Sequence, residues 1–90
     1  MREAVQLDPA TASYWNALGM VLGGGGDFPG AEQAFRAAAT RDSRNAQYAY
    51  NLGLALERQR NRESAIAQFR RALELDPQFV PARQRLAELR

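Results

Sequence analysis

Aspartate stands at positions 8, 42 and 76 of this 90-residue chain, and the 34-residue interval is not confined to it. Displacing the sequence by the same interval aligns Arg2, Arg36 and Arg70; Ala4, Ala38 and Ala72; and Leu18, Leu52 and Leu86. It also pairs Tyr14 with Tyr48, Gly19 with Gly53, Leu22 with Leu56, Ala31 with Ala65, and Phe35 with Phe69. A fixed period between 20 and 50 residues means that each unit buries its apolar side against its neighbours rather than around one centre. The chain therefore reads as a short stacked array.

Each period holds two helical patterns. Tyr14, Leu18, Val21 and Leu22 fall at i, i+4, i+7 and i+8, as do Tyr48, Leu52, Ala55 and Leu56, which gives one apolar stripe to each first (A) helix. Ala31, Ala34, Phe35, Ala38 and Ala39 form the stripe of a second (B) helix, echoed by Ala65, Ile66, Phe69, Ala72, Leu73 and Leu75. Thr11 and Asn45 are expected as N-caps of the A helices, and Asp27 and Asn61 as those of the B helices. Pro29 suits a first turn, where its missing N–H costs nothing. Glycine inside a helix costs about 1 kcal/mol against alanine. Gly19 and Gly53 at equivalent places therefore indicate close packing, here expected against the B-helix alanines, or else a bend. Asp76-Pro77 closes the second B helix, because proline disfavours the helical conformation of the residue before it, and Asp8-Pro9 repeats that signal.

The motifs Trp15-x2-Leu18-Gly19-x2-Leu22 and Ala31-x3-Phe35, followed by Leu52-Gly53-x2-Leu56, Ala65-x3-Phe69 and Pro77, resemble the tetratricopeptide repeat. Ala49 replaces the motif's tryptophan, leucine stands for its second aromatic, and Ser43 replaces proline, without altering the period. The resemblance covers the whole chain. It implies an all-α fold: a right-handed superhelical stack of antiparallel helix pairs, five helices in all. Residues 1 to 9 read as the end of a preceding B helix, 12 to 45 and 46 to 79 as two repeats, and 80 to 90 as a capping helix that buries Leu86 and Leu89. Starting inside a helix suggests a fragment of a longer array.

Composition removes most chemistry. The chain has no histidine, cysteine or lysine, so the usual general base, thiol nucleophile, Schiff-base amine and soft metal ligands are all missing. No enzyme activity, cofactor or metal is expected. Asp27, Glu32, Glu57, Glu63, Glu74 and Glu88 fall at helix ends or on faces read as wet. The run Gly23-Gly24-Gly25-Gly26 lacks the Gly-Lys-Ser/Thr of a phosphate loop, so it is expected to end the first A helix near Leu22 in a mobile turn. Glu57-Arg58-Gln59-Arg60 could extend the second A helix by about one more turn. A net charge of +2 demands neither nucleic acid nor a membrane, and the arginines at 58, 60, 62, 70 and 71 are diluted by glutamates. No secretory signal or membrane span is visible in the sequence, which makes the cytoplasm the default location. The aromatic residues Tyr14, Trp15, Phe28, Phe35, Tyr48 and Phe69 sit at packing positions, with Phe28 expected to be the most exposed.

In proteins of the resembled family the concave side, lined by A helices, holds an extended peptide or a partner helix. The matching positions are Ser13, Asn16, Ala17 and Met20 on the first A helix, Gln47, Tyr50, Asn51, Leu54 and Arg58 on the second, and Gln84, Arg85 and Glu88 on the cap. Asn16 and Asn51 could pair with a peptide backbone, Met20, Tyr50 and Leu54 supply apolar contact, and Arg58 or Arg85 could meet a carboxylate. One subgroup clamps the terminal carboxylate of chaperones with lysines and asparagines. Asn51 matches one of its positions, but Asn16 and Met20 replace its lysine and asparagine, so that clamp is not expected. The expected function is a protein-protein interaction module with a protein or peptide partner. The alternative is an architectural spacer without a ligand. A truncated first edge, residues 1 to 22, is expected to favour weak self-association.

Overall fold

In the computed structural model, residues 9 to 89 are described, and they form five α-helices without a strand: α1 (Pro9–Gly24), α2 (Phe28–Arg41), α3 (Ala46–Arg58), α4 (Arg62–Leu75) and α5 (Val80–Leu89). Each helix packs on the next in sequence, α1 on α2 through to α4 on α5. The architecture is an all-α solenoid. Its core is a row of small and large side chains: Ala31 and Phe35 from α2, Ala49, Leu52, Ala55 and Leu56 from α3, Ala65, Phe69 and Ala72 from α4, and Ala82 and Leu86 from α5.

The helix starts follow local chemistry. Asp27 accepts the Gly30 N–H at 3.0 Å and Asn45 accepts the Tyr48 N–H at 3.1 Å, each satisfying an otherwise orphaned donor. Asn61 occupies the N-cap of α4 but makes no side-chain capping bond. Thr11, expected as a cap, is an interior residue of α1, which is already helical at Pro9. Proline's fixed φ favours a first helical turn, so Pro9 belongs with the helix after it. The preceding B-helix tail expected at 1 to 9 lies otherwise outside the described residues.

The glycine run departs from expectation. α1 continues through Gly24, and α3 ends at Arg58, the register-equivalent residue, so neither helix is shorter than the other at this end. Both stop the same way. Gly26 N–H bonds to the Gly23 carbonyl and Asp27 N–H to the Leu22 carbonyl, as Arg60 does to Glu57 and Asn61 to Leu56. This is a Schellman closure, with a left-handed residue at Gly26 (φ 92°) and at Arg60 (φ 66°).

Gly19 and Gly53 meet phenylalanine rings rather than alanines. A Cβ on Gly19 would lie 2.6 Å from the Phe35 ring, and one on Gly53 the same distance from Phe69. The missing side chain on each A helix is thus the seat of an aromatic ring from its B partner, which explains Leu-Gly and Ala-x3-Phe as one packing unit. Phe69 is fully buried. Not every expected core residue is inside, however: Tyr14 is 63% and Val21 70% exposed on α1, and Tyr14 rather than Phe28 is the exposed aromatic.

Candidate functional site

The A helices place their outward polar residues along one side, and the structure joins several of them into a hydrogen-bonded row. Asn51 Nδ2 on α3 donates to Asn16 Oδ1 on α1 at 2.8 Å, and Gln47 Nε2 donates to Asn51 Oδ1 at 2.9 Å. Asn16 Nδ2 points to the Met20 sulfur at 3.7 Å. Asn51 is only 8% exposed, and its burial is tolerable because both ends of its amide are paired. These amides staple the first helix pair to the second. A further staple is Gln59, whose Nε2 lies 2.8 Å from Glu32 Oε1, 3.0 Å from the Ala55 carbonyl and 3.4 Å from that of Phe28. Hydrogen bonds from Arg36 and then Gln59 hold the Glu32 carboxyl below its usual value of 4.5.

Between the two staples lies an open cavity of about 290 Å³, lined by Gly19, Met20, Gly23 and Gly24 of α1, Phe28, Ala31 and Phe35 of α2, and Asn51, Leu54, Ala55 and Arg58 of α3. Of the residues singled out in the sequence, Met20, Asn51, Leu54 and Arg58 converge here, with Asn16 and Gln47 beside them through the amide row. Arg58 lays its guanidinium over the Phe28 ring, 5.3 Å from the centroid. Sequence reasoning missed the floor of the cavity, Phe28, Ala31 and Phe35, and its bare wall, Gly23 and Gly24. The glycine run was the available signal: four residues without side chains at the end of a groove-facing helix leave room.

The remaining sites lie elsewhere. Ser13 and Ala17 are exposed on α1 and Gln84 on α5, and none lines the cavity. Tyr50 is half-buried, its ring packed against Phe69 (5.6 Å) and Phe79 (5.3 Å). Arg85 is paired with Glu57 of α3, Nε to Oε1 at 3.2 Å and Nη2 to Oε2, and with Glu88 one turn along α5. The bond to Glu57 raises the Arg85 pKa above its usual value. Arg85 thus joins α5 to α3 through Glu57. No group of three or more acidic, histidine or cysteine residues that could hold a metal occurs among the described residues, and none of their helices is long and apolar enough to cross a membrane.

A family model for the tetratricopeptide repeat matches residues 16 to 78. The chain belongs to the tetratricopeptide repeat family. Among solved structures, it is similar to the one described as the TPR2AB-domain:pHSP90-complex of yeast Sti1, at 27% sequence identity and a TM-score of 0.92. The match covers 98% of this chain and 34% of that one, so the chain spans about a third of that protein's chain. No curated protein matches. Tetratricopeptide repeats form a protein-interaction fold, and this chain is an interaction module in that general sense.

Proposed function

We propose that this module binds an extended segment of a partner protein along the α1 and α3 side, with the cavity between these helices as the principal contact. One observation carries the reading: a mostly apolar recess lies between two inter-helix hydrogen-bond staples, so it need not be built when a ligand arrives. The Sti1 structure is a complex of the same fold with pHSP90, which supports a protein or peptide ligand. A terminal-carboxylate clamp built on lysine is not part of the proposal, because the chain contains none. The repeats proposed are 12 to 45 and 46 to 79, with 80 to 90 as the cap.

The competing reading is an architectural spacer, favoured by the internal pairing of Asn16 with Asn51 and of Arg85 with Glu57. Titration with a peptide library while recording amide chemical shifts separates the two. Binding shifts Asn16, Tyr50, Asn51 and the cavity residues; a spacer leaves all of them in place. The exposed Tyr14 and Val21 of α1 support weak self-association through this edge, and sedimentation showing only monomer at high concentration would remove it.

A further inference from the structure

Of the four residues that α1 gives to the cavity, Gly19, Met20, Gly23 and Gly24, only Met20 carries a side chain. A Cβ on Gly24 would meet nothing within 4 Å, and one on Gly23 only the Ala31 methyl at 3.6 Å. At the equivalent places α3 carries Glu57, which pairs with Arg85, and Arg58, which lies over Phe28, so the long side chains of α3 have no counterpart on α1. The recess of about 290 Å³ is at the bottom of the roughly 300–1,000 Å³ range of small-molecule sites, a size for one or two side chains rather than a cofactor. Its apolar lining, with Phe28, Phe35 and Leu54, suits a large hydrophobic group.

The polar lining is one-sided. No acidic residue borders the cavity, and its two polar side chains are Asn51 and Arg58. Asn51 Oδ1 already accepts from Gln47 and one Nδ2 hydrogen is given to Asn16, which leaves one N–H to offer. Arg58 rests on Phe28 and has no ion pair among the described residues, whereas Arg36, Arg71 and Arg85 do. Arg58 can only donate and Asn51 has a donor to spare, so the lining favours an occupant that supplies acceptors and negative charge.

Resting on groove binding, we infer that the cavity selects an internal peptide segment in which a large apolar side chain is followed within one or two residues by aspartate or glutamate. The apolar group enters between Phe35 and the glycine wall, the carboxylate meets Arg58 at the rim, and a main-chain carbonyl accepts from Asn51.

End-blocked peptides carrying phenylalanine or leucine before glutamate, glutamine or lysine, followed by fluorescence anisotropy, test the inference. Glutamate is expected to bind about tenfold tighter than glutamine, since a hydrogen bond to a charged group is worth about one such factor. That advantage disappears in Arg58→Gln and reverses toward lysine in Arg58→Glu. Gly24→Leu adds a large side chain to the cavity lining while replacing a poor helix former, so the melting temperature holds or rises and affinity is expected to fall by about tenfold or more. Gly24→Ala gives a smaller loss in the same direction. A folded Gly24→Leu variant that binds as before, or equal affinity for glutamate and glutamine, overturns the inference. Shifts at Ser13, Gln47 and Gln84 with the cavity residues silent overturn it while leaving groove binding intact. Silence at every groove residue overturns both.

Discussion

The two A helices carry the same stripe in different surroundings. On α3, Leu52 is 2% exposed, and Ala55 and Leu56 are buried, because α2 packs on one side and α4 on the other. On α1, Leu18 and Leu22 are half-buried, and Val21, the counterpart of Ala55, faces solvent. Identical spacing thus yields different burial, and the difference comes from how many neighbours a helix has. In a solenoid, stability is approximately a sum of unit and interface terms, so α3 should be the firmer half of the comparison and α1 the more adaptable.

Truncating the paired leucines tests this most strongly. Leu52→Ala should cost about 3 kcal/mol, in the range for a buried leucine, and Leu18→Ala about 1 kcal/mol, measured by urea denaturation. Equal costs would erase the distinction between the helices. The paired glycines come next: Gly53→Ala drives a methyl into the fully buried Phe69 ring and should destabilise by about 2 kcal/mol. Gly19→Ala should cost less, because Phe35 is slightly exposed and has a freer neighbour in which to relax.

The two Schellman closures share their backbone bonds but place different residues, Gly26 and Arg60, in the left-handed conformation. Arg60→Gly should stabilise by about 0.5–1 kcal/mol, since a side chain there costs more than the added freedom of glycine, and thermal melts should show the rise. Gly26→Arg should move the other way by a similar amount. The smallest effect concerns Glu32, which binds its last proton less readily folded than unfolded. Its contribution is complete above about pH 4.5 and is lost as pH falls through the lower folded value. Glu32→Gln should therefore flatten the acid limb of stability by less than about 1 kcal/mol, seen by comparing unfolding of the two proteins between pH 6 and 3.

Much of this was legible in one dimension. The period, the helix pairs and the caps at Asp27 and Asn45 follow from spacing and from donors that must be satisfied. The candidate groove was legible only as a face. Met20, Asn51, Leu54 and Arg58 could be placed on it, but nothing in the pattern showed that Asn51 bonds to Asn16 across 35 residues, or that Arg85 is held by Glu57. The pattern cannot tell the seat of Phe35 on Gly19 from an alanine contact for the same reason: helical spacing shows which side a residue faces, not which atom stands opposite.

By itself, then, the sequence determined a repeating α-helical hairpin and its stacking, because hydrophobic period, helix caps and glycine placement are local properties. Only the tertiary structure decided which members of a stripe are covered, which polar side chains satisfy one another and where space is left over. Those depend on distances between helices, and such distances are set jointly by residues far apart in the chain.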